Sequence, residues 1–266
     1  MKRIIQKRII TLLVGVFFFV ILPIFSKNDN KNRVFAENQW VEMSAYTTYF
    51  NQKERGRCEN IRIAASLLDG ITVQAYGEFS FNKTVGERTK AAGFQQAKII
   101  VNGEYVEGVG GGVCQVSTTL YNAVLKAGIE VTEFHPHSLA VGYIAPSRDA
   151  MVSSHSDLCF FNPYEFSVRL CFSVFNGGLR VSVLGKNKGD RYEIVSKILE
   201  EIPPPPPIVK MGEEEGVLRM EKSGTKSEMY LERYRGKRLI SRKRLRVDEY
   251  RPIQGIIVKK NGNSAN

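Results

Sequence analysis

Cys114 stands directly after Gly110-Gly111-Gly112-Val113, at the head of a stretch, Gln115–Ala127, in which Val116, Leu120, Val124 and Ala127 recur at helical spacing. A cysteine at a helix start meets unpaired N–H groups and the positive end of the helix dipole, and both favour thiolate over thiol. The glycines let backbone pass close to a ligand. Consecutive N–H groups there form a nest able to bind an anion or hold the oxyanion of a tetrahedral intermediate. Gly110, Gly111, Gly112, Gln115 and Ser117 are therefore the candidate substrate-binding residues around a cysteine nucleophile. Such a nucleophile needs a base, and His135 and His137 follow on a strand-like run, Ile129–Pro136, that enters His135-Pro136-His137-Ser138. Strand alternation would put both rings on one face. Asp149 or Asp157 is the candidate to orient the imidazole, and the residues alone do not choose between them.

Plainer readings stand beside this one. Free cysteines are mostly buried and inert, and a histidine next to proline is often only a hydrogen-bonding element of a loop. The glycine triplet lacks the Gly-Lys-Ser/Thr ending of a phosphate-binding loop, which argues against a nucleotide. Cys114, His135 and His137 offer enough ligands for zinc, but their spacing fits no short metal motif. No metal and no cofactor are expected. His155, in Ser-Ser-His-Ser, reads as part of a polar loop.

The elements that must position these residues suggest an α+β fold, mostly antiparallel strands with a few helices, plus a small all-β C-terminal module. Tyr46–Phe50 reads as a strand, and Asn60–Leu68 as a helix stopped by Asp69-Gly70. Ile71–Ala75 is strand-like. Ile99–Val101 and Glu104–Val106 flank Asn102-Gly103, a strong hairpin signal. Gly128 sits where the helix after Cys114 should stop. Between Ala150 and Leu184, strand-like runs are broken by Asn162-Pro163 and Asn176-Gly177-Gly178. Pro203–Pro207 is then a stiff polyproline spacer. Beyond it, Met229–Tyr234, Leu239–Val247 and Ile256–Val258 read as strands, with a hairpin at Arg235–Lys237. The expected organisation is an export segment over 1–36, a central domain over 37–200, a proline-rich linker over 201–208 and a β module over 209–266.

Charge narrows the partners. The chain carries 38 Lys and Arg against 27 Asp and Glu, a net charge of +11. Residues 208–266 hold 15 basic and 8 acidic residues, while residues 9–207 hold 19 of each. A central domain with no net charge lacks the footprint of a nucleic-acid binder, and no nucleic-acid partner is expected. The basic tail suits anionic wall polymers or lipid headgroups, or is simply a solvated face.

Lys2, Arg3, Lys7 and Arg8 precede an apolar run free of charge, Ile9–Phe25. This is the layout of a signal peptide or a signal anchor. Its 17 residues would span about 25 Å as a helix. The flanking charge puts the N-terminus in the cytoplasm and the rest outside, with the cytoplasmic membrane as a partner if the segment is not cleaved. Val34-Phe35-Ala36 has the small outer residues of a cleavage site, so both outcomes stay open. Outside the cytoplasm, disulfides are possible. Cys159 and Cys171 lie in apolar runs around Asn162-Pro163-Tyr164-Glu165 and read as core residues or one cross-strand bridge, while Cys58 follows a charged run.

Several blocks together resemble the VanW family: Phe79-Ser80-Phe81-Asn82-Lys83-Thr84-Val85-Gly86, Gly110 through Asn122, His135-Pro136-His137-Ser138, Arg148-Asp149-Ala150 and Asn60-Ile61-Arg62. The resemblance covers about residues 44–175, and its Gly-Gly-Gly-Val-Cys-Gln-Val-Ser block is the most specific part. It implies a role in peptidoglycan cross-linking as an L,D-transpeptidase, with Cys114 as nucleophile and His135 and His137 as the matching histidines. Peptidoglycan stem peptides would be the substrate. The alternative is a non-catalytic peptidoglycan-binding surface protein. Where the family usually has an aromatic-Gly pair, this chain has Ser154-His155. The run from Tyr234 through Tyr250-Arg251-Pro252 to Ile256–Val258 is similar to the later part of a G5 domain, a surface module associated with wall or glycan binding.

Overall fold

The computed structural model describes residues 40–101, 103–186 and 189–260. The expected export segment lies outside these residues. Among the described residues, no helix is long and apolar enough to cross a membrane. The described residues form one compact unit.

The chain is rich in strands with few helices, an α+β arrangement. Its main sheet is antiparallel, in the order β1 (Val41–Tyr49), β9 (Gly178–Gly185), β8 (Val168–Phe175), β2 (Thr72–Val73). Helix α1 (Arg55–Leu68) packs on β8, and helix α3 (Val113–Lys126) packs on β1, β9 and α1. A second sheet joins β3 (Glu78–Ser80), β7 (Cys159–Phe161) and β6 (Glu130–Glu133). The short helix α2 (Phe81–Val85) follows β3, capped by the Ser80 hydroxyl, which accepts the Lys83 N–H. The hairpin β4 (Gln96–Val101) and β5 (Glu104–Val109) turns through Gly103, whose φ of 83° suits glycine.

The sequence places α3 well but understates its burial. Every residue from Val113 to Leu125 is buried except Cys114. A helix covered on all sides must satisfy its own polar groups. Ser117 Oγ donates to the Ala150 carbonyl at 2.6 Å, Thr118 Oγ1 accepts the Ala150 N–H at 3.0 Å, and Asn122 Nδ2 donates to the Arg148 carbonyl at 2.8 Å. These bonds lash the segment Arg148–Ala150 along the helix that carries Cys114.

The strand expected over Ile129–Pro136 ends at Glu133, and residues 134–137 are irregular. Strand alternation therefore does not apply to the two histidines. All four cysteines are free. Cys159 and Cys171 lie on β7 and β8, in different sheets, so they are not cross-strand neighbours.

Among the described residues beyond Gly189, the chain is all strand and connection. The strand β10 (Asp190–Ile202) pairs along its length with β13 (Gly224–Arg235), which pairs with β14 (Arg238–Tyr250). Residues 190–200, read from sequence with the central domain, thus belong by hydrogen bonding to the tail sheet. The five prolines carry the chain from β10 to β11 (Ile208–Gly212), which lies parallel to β15 (Ile256–Lys260), with β12 (Gly216–Arg219) on its other side.

Leu120 sits at the centre of the core with no exposed surface. Leu120→Ala should lower the free energy of unfolding by about 2–5 kcal/mol through lost burial and the cavity left behind. Thermal and denaturant melts of the two proteins check this.

Candidate active site

The turn from β5 into α3 accounts for each glycine separately. Gly110 and Gly112 have φ of 89° and 109°, left-handed values that side chains resist. At Gly111 the reason is space, because a Cβ there would lie 2.5 Å from the Lys98 carbonyl on β4. The three together swing the chain across the hairpin and deliver Cys114 into the first turn of α3, beside a cavity of about 690 Å³.

His137 reaches towards Cys114 from the irregular segment after β6, and both side chains line the cavity, close enough to influence each other's protonation. Cys114 Sγ also lies 3.4 Å from the Val152 carbonyl. On the far side of the imidazole, Nδ1 pairs with Asp149 Oδ2 at 2.7 Å, and the same oxygen accepts the His137 backbone N–H at 2.7 Å. With Nδ1 committed to the carboxylate, Nε2 is the ring nitrogen left for the thiol. His137 is 5% exposed and Asp149 1%, so the pairing is shielded from water. The arrangement is a Cys-His-Asp triad.

Its electrostatics follow from these contacts. Burial pushes the Cys114 thiol up, but the hydrogen bond and charge of His137 outweigh it and hold the thiol below its ordinary value. Burial alone would lower His137; hydrogen bonds to Asp149 and Cys114 reverse this and raise it to about 9. Burial works against the Asp149 carboxylate too, yet His137, the Arg246 charge and the Tyr250 hydroxyl keep it ionised and below its usual range. These contacts shift the pair towards thiolate and imidazolium, with His137 keeping its proton to about pH 9.

The other sequence candidates divide. His135 turns to Glu133, with Nε2 and Oε1 2.9 Å apart, and takes no part in the triad. Pro136 separates two irregular residues rather than two strand positions, so the rings part. Asp157 accepts the Ser80 hydroxyl at 2.5 Å and the Asn82 N–H at 2.8 Å, bracing the start of α2. His155 is exposed and pairs with Ser154 at 2.8 Å. Gly110, Gly111, Gly112 and Gln115 border the cavity. Gln115, however, commits its amide internally: Oε1 accepts from Arg57 at 2.7 Å, and Nε2 donates to Thr48 at 3.0 Å and to the Tyr49 carbonyl at 2.9 Å. Ser117 is wholly buried and bonded to Ala150, so it anchors the Asp149 segment rather than facing a substrate. Among the described residues, no group of three or more His, Cys, Asp and Glu is placed to hold a metal ion.

Sequence reading missed the rest of the cavity wall. Arg57, Arg88 and Lys98 bring positive charge to it, against Glu54, and Ile99, Tyr105, Tyr143 and Tyr49 give it apolar surface. The Arg57 guanidinium lies over the Tyr143 ring, 5.6 Å from its centre. No local pattern connects these residues, which come from four separate segments.

The match to known proteins falls on this same region. The family model described as VanW like protein matches residues 56–184. Those residues are similar to the VanW family. They hold the glycine turn, α3 and all three triad members. The uncharacterized protein YoaR of Bacillus subtilis (strain 168) is 35% identical over 186 residues, 70% of this chain, and the aligned part spans 59% of that relative. Two solved structures cover smaller parts. The IgA1 protease G5 domain matches 29% of this chain and 98% of its own at 17% identity and a TM-score of 0.19. HP0197-G5 matches 26% of this chain and 93% of its own at 15% identity and a TM-score of 0.16.

Alkylation by iodoacetamide, followed peptide by peptide in a mass spectrometer, reads the Cys114 thiolate directly. The native protein should react at Cys114 well below pH 8, where an ordinary thiol is mostly protonated. His137→Ala removes the imidazolium and should move the profile towards alkaline pH. Equal profiles would contradict the ion pair.

Proposed function

We propose that this protein is a cell-surface cysteine acyltransferase acting on peptidoglycan stem peptides, an L,D-transpeptidase-like cross-linking activity. The observation that carries the reading is Cys114 beside His137 on the wall of a cavity of about 690 Å³, with the imidazole hydrogen-bonded to Asp149 behind it. The VanW-like domain match supports the choice of substrate class. The apolar run Ile9–Phe25 supports a location outside the cytoplasmic membrane, and the tail, as a small all-β G5-like module, would hold the protein to the wall.

In the first half-reaction, the Cys114 thiolate attacks a peptide carbonyl carbon and a C–S bond forms. The carbonyl oxygen becomes an oxyanion within reach of backbone N–H groups at the glycine turn, of which those of Gly112 and Cys114 are the candidates. As the intermediate collapses, the C–N bond breaks, and the His137 imidazolium gives its proton to the departing amine. A thioester remains. In the second half-reaction, an amine on a neighbouring stem attacks the thioester and loses its proton to neutral His137. The C–S bond then breaks, releasing the new amide and restoring the ion pair. Water in place of the amine makes the same site a carboxypeptidase. Arg57, Arg88 and Lys98 favour substrates bearing carboxylates, through Coulomb attraction at a partly desolvated wall.

The test is incubation of the protein with disaccharide-tetrapeptide, read by mass spectrometry beside Cys114→Ala. A cross-linked dimer or an acyl-enzyme on Cys114 is expected from the native chain alone, with the variant reduced by about 10³-fold or more. Release of the terminal residue without dimers would assign the carboxypeptidase reaction. No product from either protein, with equal binding of both to purified sacculi, would overturn the catalytic reading in favour of a wall-binding protein.

A further inference from the structure

Asp149 is gripped from two sides, and the second grip comes from the far end of the chain. One carboxylate oxygen, Oδ2, serves His137. The other, Oδ1, accepts the hydroxyl of Tyr250, the last residue of β14, and lies 3.8 Å from the Arg246 guanidinium. Arg246 also donates through Nη1 to the Asp149 carbonyl at 2.8 Å. Both side chains are buried. Arg246 is itself fixed by Asp248 at 2.6 Å and lies over the Phe134 ring, 4.8 Å from its centre.

The same sheet holds the chain just before Asp149. The Tyr250 oxygen accepts the Ser147 N–H at 2.7 Å, and the Ser147 and Ser227 hydroxyls are 2.7 Å apart. Ser196, on β10, donates to the Pro146 carbonyl at 2.5 Å. Strands β10, β13 and β14 thus each bind the segment 146–149, while α3 binds 148–150 from the other side. Ser147 keeps a φ of 63°, outside the range its type prefers, within this double clamp.

We infer that Tyr250 and Arg246 are positioning residues of the triad, so that the active unit extends from the VanW-like domain through β14. This rests on the reading of Cys114 as nucleophile. A carboxylate can present one oxygen steadily to an imidazole only if its other oxygen is held. The Tyr250 hydroxyl stops rotation about the Cβ–Cγ bond, and it satisfies an acceptor that would otherwise be buried without a partner. Arg246 fixes the backbone of the same residue and adds a cation that favours the ionised carboxylate. The family model ends at residue 184, so Ser196, Ser227, Arg246, Asp248 and Tyr250, the tail's side of this clamp, all lie beyond it.

The experiment uses the full chain in detergent and follows Cys114 alkylation against pH, which needs no substrate. Tyr250→Phe and Arg246→Met should each slow Cys114 alkylation at pH 7 by about tenfold, roughly one unit in the thiol profile. In an Asp149→Asn background, neither substitution should slow it further, because both act through that carboxylate. Tyr234→Phe cuts a bond of the same sheet, the Tyr234 hydroxyl to Glu232 at 2.6 Å, without touching the segment 146–150, and it should leave the profile in place. Thermal melts accompany each variant, and the comparison is made where all are folded. A Tyr250→Phe profile that superimposes on the native one overturns the inference. So does an equal slowing in the native and Asp149→Asn backgrounds, which marks general loosening. An ordinary thiol profile in the unsubstituted chain instead contradicts the nucleophile reading beneath it.

Discussion

Burying a charged carboxylate, an imidazolium and a thiolate side by side is costly unless each charge is answered within hydrogen-bonding distance. That constraint organises the centre of this molecule. Asp149 ionises in a place with almost no water because His137, Tyr250 and Arg246 face it. His137 holds its proton because Asp149 lies on one side and Cys114 on the other. The His137 imidazole is the main influence that lowers the Cys114 thiol against its burial, with Val152 and Arg88 adding to it. Removing any member leaves the next one buried without its counter-charge, so the fold has to fix all three together. It does so by clamping the segment 146–150 between a buried helix and a sheet from the tail.

The polar residues of α3 show how this works. Ser117, Thr118 and Asn122 are fully buried, and they spend their side chains on the backbone of Arg148 and Ala150. They lie on the helix one to two turns beyond Cys114 and set the register between nucleophile and aspartate. Gln115 does similar work towards β1 and Arg57. A specific sequence block around the cysteine thus contains both the reactive group and the residues that place its partners.

What could be read from sequence was local. The hairpin β4–β5 and the helix after the glycine turn, with Cys114 in its first turn, follow from neighbours along the chain, and each is present. Choosing between His135 and His137, or Asp149 and Asp157, depends on contacts across the fold, which local spacing does not encode. Two histidines separated by Pro136 looked like strand neighbours, yet the strand stops at Glu133 and one ring turns to that carboxylate. Asp157 is acidic and nearby but is taken up by Ser80 and Asn82. Strand β10 is not legible in the sequence, because its residues alternate weakly and the run from Lys197 to Glu201 is exposed. Arg246 and Tyr250 read as ordinary members of a basic strand, and only the pairing of β14 against the Asp149 segment gives them a role.

Nitrogen NMR of the histidine rings bears most directly on the central claim, that His137 holds its second proton at neutral pH between Asp149 and Cys114. The chain has three histidines, so His135→Gln and His155→Gln assign the remaining signal. The structure predicts that both ring nitrogens of His137 stay protonated until about pH 9. A His137 ring that is neutral at pH 8 and gains its second proton only near pH 6.5, the value of an ordinary histidine, would contradict it.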